Sequence, residues 1–173
     1  IWNAGLSLGS ANQIVKVNSG ATALEFGAQS TGGAISTTTG QRTSTFSTST
    51  TGSWVTFGAS AAVTPASASS KFLVMFNSFC GASAHSAGPA MKFTRAISGG
   101  ATTSLVGATP ANGSSVPCLW HGGEEFVENG STTYYGVGIA YWYLDAPNTT
   151  SQVTYDPQIY NGHAGSTVWL GTV

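Results

Sequence analysis

The chain has 173 residues, of which only 6% are charged, and a formal net charge of −1. Typical soluble domains carry about 25% charged residues, so this surface must be nearly neutral and built from the Ser, Thr and Gly that dominate the composition. The five cations, Lys16, Arg42, Lys71, Lys92 and Arg95, are scattered and form no basic stripe for a nucleic acid, and 41% hydrophobic content excludes the profile of a disordered chain.

Residues 1–33 read as a unit of their own. Gln13–Val17 and Ala23–Phe26 are short apolar runs separated by the turn formers Asn18, Ser19 and Gly20, the pattern of a small hairpin. An isolated hairpin is marginal in water, so Ile14, Val17, Leu24 and Phe26 need neighbours, for which copies of the same chain would serve. Residues 34–52 are Ser/Thr/Gly-rich, with Phe46 the only large apolar side chain of the second half, and read as a connection. Thr also tolerates strand geometry, which makes a strand-like shaft the other reading.

From Trp54 onward strands are expected at short intervals: Ser53–Gly58, Ala61–Thr64, Lys71–Cys80, Ala90–Ile97, Thr102–Val106, Tyr134–Leu144, Gln152–Tyr160 and Ser166–Val173. Residues 107–130 read as an irregular loop. No stretch has a helical period, so the chain is all-β, a jelly-roll-like antiparallel sandwich head over 53–173, with a small barrel as the internal alternative. Lys71–Cys80 and Tyr134–Leu144 are apolar at both parities, whereas a strand with one wet face alternates apolar and polar. The second apolar face is expected to be covered by other copies, with Leu73, Met75, Tyr135, Ile139 and Tyr141 as candidate interface residues.

No apolar run approaches a membrane span, and the start lacks a signal-peptide pattern. A chain beginning at Ile1 rather than Met reads as a piece of something longer. Cys80 and Cys118 are too few for a disulfide framework and read as two buried free thiols, with a single bridge between them as the alternative.

The densest polar feature is Trp120 to Asn129, which holds three of the six acidic residues, Glu124, Glu125 and Glu128, beside His121. A solvated acidic loop is the plainest reading. As a contact surface, Trp120 and Tyr160 would stack on sugar rings, and His121, Glu124, Glu125 and Glu128 would bond hydroxyls. A cation held by these carboxylates and His121 is a third reading, but His-x-x-Glu lacks the second His of a zinc-protease helix, so no metal or cofactor is assigned. His85 and His163 read as exposed loop residues. A glycosidase pair could be drawn from Glu124 or Glu125 with Asp145 or Asp156, but no spacing supports it, and no nucleophile-elbow or phosphate-loop motif occurs. The three Asn-Gly-Ser or Asn-Thr-Thr sequons are expected by chance in so hydroxyl-rich a chain.

Two stretches resemble a known kind of protein. Gln13-Ile14-Val15-Lys16-Val17-Asn18 followed by Gly20-Ala21-Thr22-Ala23-Leu24 and the aromatic Phe26 resembles a segment recurrent in bacteriophage tail-fibre and virion-fibre proteins. The segments from Val63 to Val74 and from Tyr143 to Tyr155 are similar to the distal domain that follows it there. The resemblance implies a homotrimeric fibre tip, shaped like the C1q/TNF-like trimers. It would adhere to a host-surface glycan or outer-membrane protein without catalysis, joined to other virion proteins through its N-terminal side. A purely structural head-fibre, decoration or collar protein is the alternative, and a polysaccharide-degrading tailspike the next.

Overall fold

The computed structural model describes residues 10, 13–28, 36–83, 88–107, 116–122 and 135–171. The chain divides into two compact units, Ile1–Thr37 and Thr38–Val173. In the first, β1 (Gln13–Val17) and β2 (Leu24–Ala28) form the expected antiparallel hairpin, with Val15 opposite Phe26 and Lys16 opposite Glu25. Asn18 closes the turn by accepting from the Thr22 and Ala23 amides at 2.9 and 3.3 Å, and Ala21 takes the left-handed step at φ 54°. Ile14, Val15, Val17 and Leu24 all stay exposed.

The second unit is all-β, with antiparallel sheets packed as a sandwich. Its strands are β3 (Phe46–Thr48), β4 (Trp54–Thr56), β5 (Ala61–Val63), β6 (Phe72–Ala82), β7 (Ala90–Ile97), β8 (Thr102–Leu105), β9 (Trp120–His121), β10 (Tyr135–Asp145), β11 (Val153–Tyr160) and β12 (Val168–Leu170). One sheet runs β10-β6-β12-β3. The other runs β4-β11-β7-β8, with β5 also on β11 and β9 on β7. Eight strands were expected over 53–173; β3, in the Ser/Thr-rich stretch, and β9, in the stretch read as loop, are additional.

The core lies between the sheets. Met91, Phe93, Val153, Ile159 and Val168 are fully enclosed there, and burying a side chain of this size contributes about 1.5–3 kcal/mol. Rings pass from one sheet to the other in sequence: Phe46 to Phe57, Phe57 to Phe76, Phe76 to Tyr141, and Tyr141 to Phe93, at centroid separations of 5.8, 5.4, 5.3 and 4.8 Å. Each tilted pair adds about 0.5–1.5 kcal/mol beyond area burial. Cys80 is buried in the same core and Cys118 is half-buried, and both are free thiols. Burial pushes the Cys80 thiol up to about 12.

One polar cluster ties the sheets together. Asp145, at the end of β10, accepts from Arg95 Nη1 of β7 at 2.7 Å and from the Tyr155 hydroxyl of β11 at 2.8 Å. Asp145 therefore holds the two sheets in register. The Tyr155 hydroxyl is pushed above the usual tyrosine range, first by burial and then by its bond to Asp145.

Pro157 sits mid-strand in β11, where proline would normally remove a ladder bond. The topology explains it. β11 pairs β7 along its whole length, but on its other side β5 covers only Val153–Tyr155 and β4 only Gln158–Tyr160. Pro157 falls in the gap between them, so no partner strand asks for its missing N–H.

Candidate functional site

Strand parity gives each sheet an outer face, and the two faces differ in chemistry. On the four-stranded sheet, Leu144 lies opposite Leu73, Trp142 opposite Met75, and Gly138 opposite Phe79. The five large side chains of these pairs are between 57% and 70% exposed. They sit on the two longest strands of the sheet, and β10 is the end strand of its path. Asn77 and Ala140 lie between the second and third of these pairs, and so many exposed large apolar side chains on one face that reaches a sheet edge are uncommon in a lone domain.

The expected interface residues divide by this parity. Leu73 and Met75 are on the outer face. Ile139 and Tyr141 are not: both are buried in the head's own core, and Tyr141 packs between Phe76 and Phe93. Both parities of β10 are apolar, and the inner set proved to be 137, 139, 141 and 143, which leaves Trp142 and Leu144 for the outside. The side chain of Tyr135 lies outside the described residues.

Beside this face a cavity of about 440 Å3 is lined by Gln41, Arg42, Met75, Asn77, Tyr141 and Trp142, among others. It opens where β12 stops: β12 pairs β6 only over Cys80–Ala82. Arg42 is engaged at its rim, with Nε donating to the Ser44 carbonyl at 3.0 Å and Nη1 to the Phe57 carbonyl at 2.9 Å. The residue therefore anchors the 40–44 segment.

The outer face of the six-stranded sheet is hydroxyl- and amide-rich. His121 lies opposite Ala90, Ala90 opposite Tyr160, and Tyr160 opposite Trp54. One step along, Lys92 lies opposite Gln158, and Gln158 opposite Thr56. The Trp54 and Tyr160 rings are 5.4 Å apart and tilted. Lys92 Nζ stands 4.5 Å from the Trp54 ring centroid and donates to Ser104 Oγ at 2.8 Å. Burial lowers the Lys92 ammonium's pKa. Of the contact residues expected from the sequence, His121 and Tyr160 lie on this face. Trp120 does not: it pairs with the buried Met91 and packs against the core, which removes it as an exposed stacking ring. Glu124, Glu125 and Glu128 lie outside the described residues.

Asp145, one carboxylate of the glycosidase pair considered above, is bound to Arg95 and Tyr155 inside the sandwich. Sequence reasoning did not single out Trp54, Lys92 or Gln158. The signal was the alternation within β11, where Val153, Tyr155, Pro157 and Ile159 are buried and Thr154, Asp156, Gln158 and Tyr160 face outward. Comparison with family profiles, with curated proteins and with solved structures gives no match.

Proposed function

We propose that this chain is the adhesive tip of a virion fibre. In this reading the head is a jelly roll, similar in shape to the C1q/TNF-like trimers, that assembles as a homotrimer and binds a glycan or outer-membrane protein on a host cell without chemistry. The observation that carries the assembly is the apolar outer face of β6 and β10. Leu73, Met75, Phe79, Trp142 and Leu144 would be solvent-exposed in a monomer, and a second copy of the same chain covers them most economically. A partner seated there would also close the mouth of the cavity beside Trp142. The hairpin supports the same reading, because Ile14, Val15, Val17 and Leu24 are left uncovered and three copies of a marginal hairpin can shelter each other's side chains. The virion assignment is supported by the resemblance of Gln13–Phe26, Val63–Val74 and Tyr143–Tyr155 to phage fibre segments.

Adhesion through three linked heads would gain from avidity even where each contact is weak. The test is adsorption of fluorescently labelled protein to a panel of bacterial strains. Saturable adsorption to some strains and not others is expected. Failure to adsorb to any strain, with the assembly intact, would move the reading to a purely structural collar or decoration part.

A further inference from the structure

We propose that the outer face of the six-stranded sheet is a saccharide-binding platform: the Trp54 indole is the stacking surface, Tyr160 flanks it, and Gln158 and Thr56 supply hydrogen bonds to sugar hydroxyls. The inference rests on the adhesion reading for its biological meaning, and deepens it by naming the ligand class and the residues. It places the contact on a rigid sheet rather than in the acidic loop.

The geometry begins with the reach of Trp54. Trp54 is on β4 and Lys92 on β7, with β11 between them. Neighbouring strands are about 4.8 Å apart, so the two backbones are separated by two such spacings. Yet the Lys92 ammonium is 4.5 Å from the indole centroid. Lys92 therefore reaches across β11 toward Trp54, and the ammonium and indole meet above that strand. Trp54 is half-buried, so part of the ring stays open to solvent while the ammonium contacts the rest. The cation holds its face by the ring quadrupole, Ser104 fixes the cation in turn, and Tyr160 abuts the indole at 5.4 Å. The platform is thus held from two sides before any ligand arrives.

The surroundings match a polyhydroxylated ligand. Gln158 and Thr56 form the cross-strand pair next to Tyr160 and Trp54 on the same face, and the half-buried Asp156 and Thr154 continue it along β11. Ala90, which is fully enclosed, separates Tyr160 from exposed His121. Flat rings bordered by amides and hydroxyls suit a pyranose, whose apolar face stacks while its equatorial hydroxyls bond sideways. A nucleic-acid strand would also stack on an aromatic ring, but it needs a basic groove to track its phosphates. Lys92 is the lone cation that parity places on this face among the described residues, and it is already engaged by Trp54 and Ser104.

The experiment uses the full chain labelled with 15N at its indoles. Maltoheptaose, cellohexaose, chitohexaose and a dextran fragment are titrated separately into the millimolar range. The Trp54 indole resonance, assigned by its loss in Trp54→Phe, should shift saturably with at least one of them, while the Trp142 resonance stays in place. Saturation-transfer signals on the sugar protons should fall at least tenfold in Trp54→Ala and severalfold in Gln158→Ala, a variant that leaves both rings in place. Absence of any Trp54 shift with all four sugars overturns the proposal, as does binding that survives both substitutions. The adhesion reading is judged separately: if wild-type protein adsorbs to cells and Trp54→Ala adsorbs equally, adhesion stands and the platform is wrong.

Discussion

Replacing Asp145 with Ala removes the group that joins β10 to β7 and β11. Both carboxylate oxygens are used, one by Arg95 Nη1 at 2.7 Å and one by the Tyr155 hydroxyl at 2.8 Å. The Asp145 side chain is 5% exposed and that of Arg95 17%. Arg95 Nε has no hydrogen-bond partner among the described residues, and Asp145 is the one carboxylate paired with the guanidinium among them. Breaking a buried pair from one side costs about 3–5 kcal/mol, because the remaining charge is left uncompensated. The water access that Arg95 retains argues for the lower end, about 3 kcal/mol. That is a large part of a total stability of about 5–15 kcal/mol. Urea unfolding followed by tryptophan fluorescence reads the loss directly, as a lower midpoint at unchanged slope. The double variant Asp145→Leu with Arg95→Met, which removes both charges at similar volume, should recover at least half of it. A loss below about 1 kcal/mol for Asp145→Ala, in the range of exposed ion pairs, would refute the inter-sheet clamp.

Three further outcomes follow from the same structure. The folded state holds the Cys80 thiol at about 12, above its unfolded value of about 8.5. Its contribution is therefore fully present below the unfolded value and is lost as pH rises toward the folded one, at about 1.4 kcal/mol per pH unit; Cys80→Ala should flatten the pH dependence of the urea midpoint between about pH 9 and 11. Tyr141 and Tyr155, whose hydroxyls burial pushes above the usual tyrosine range, should extend the decline above about pH 10. Gly40→Ala should destabilise the head by about 1–3 kcal/mol in thermal or urea unfolding, because its Cβ would collide with the Ser60 carbonyl and the clash is with backbone.

The strands that could be read from sequence are those with a strong local pattern. Ala90–Ile97 forms over its expected residues, and Phe72–Ala82, Tyr135–Asp145 and Val153–Tyr160 differ from expectation by one or two residues at their ends. Which face of β10 turns inward was not readable. With tyrosines, Val137 and Ile139 at one parity and Trp142 and Leu144 at the other, a period of two has no polar member to choose between them, and Ile139 and Tyr141 were misplaced for that reason. Trp120 was misread because β9 is two residues long, and its direction is set by pairing with Met91, far away in sequence. β3 is hidden in a Ser/Thr-rich stretch where Phe46 gives the sole apolar cue. That Pro157 is tolerated inside β11 was not readable either, since the gap between β4 and β5 exists only in three dimensions. Trp54 and Lys92 meet across two strand spacings, a contact that no local pattern announces.

The central claim is that the outer face of β6 and β10 is where copies of this chain meet. Sedimentation equilibrium at micromolar concentration tests it on the wild-type protein and on the double variant Met75→Glu with Trp142→Glu, two facing residues that are 70% and 65% exposed. The account predicts three times the 17.5 kDa chain mass for the wild type and a folded monomer for the variant, with near-ultraviolet dichroism preserved because neither side chain lies in the core. A monomeric wild type, or a variant that keeps the wild-type mass, would contradict it.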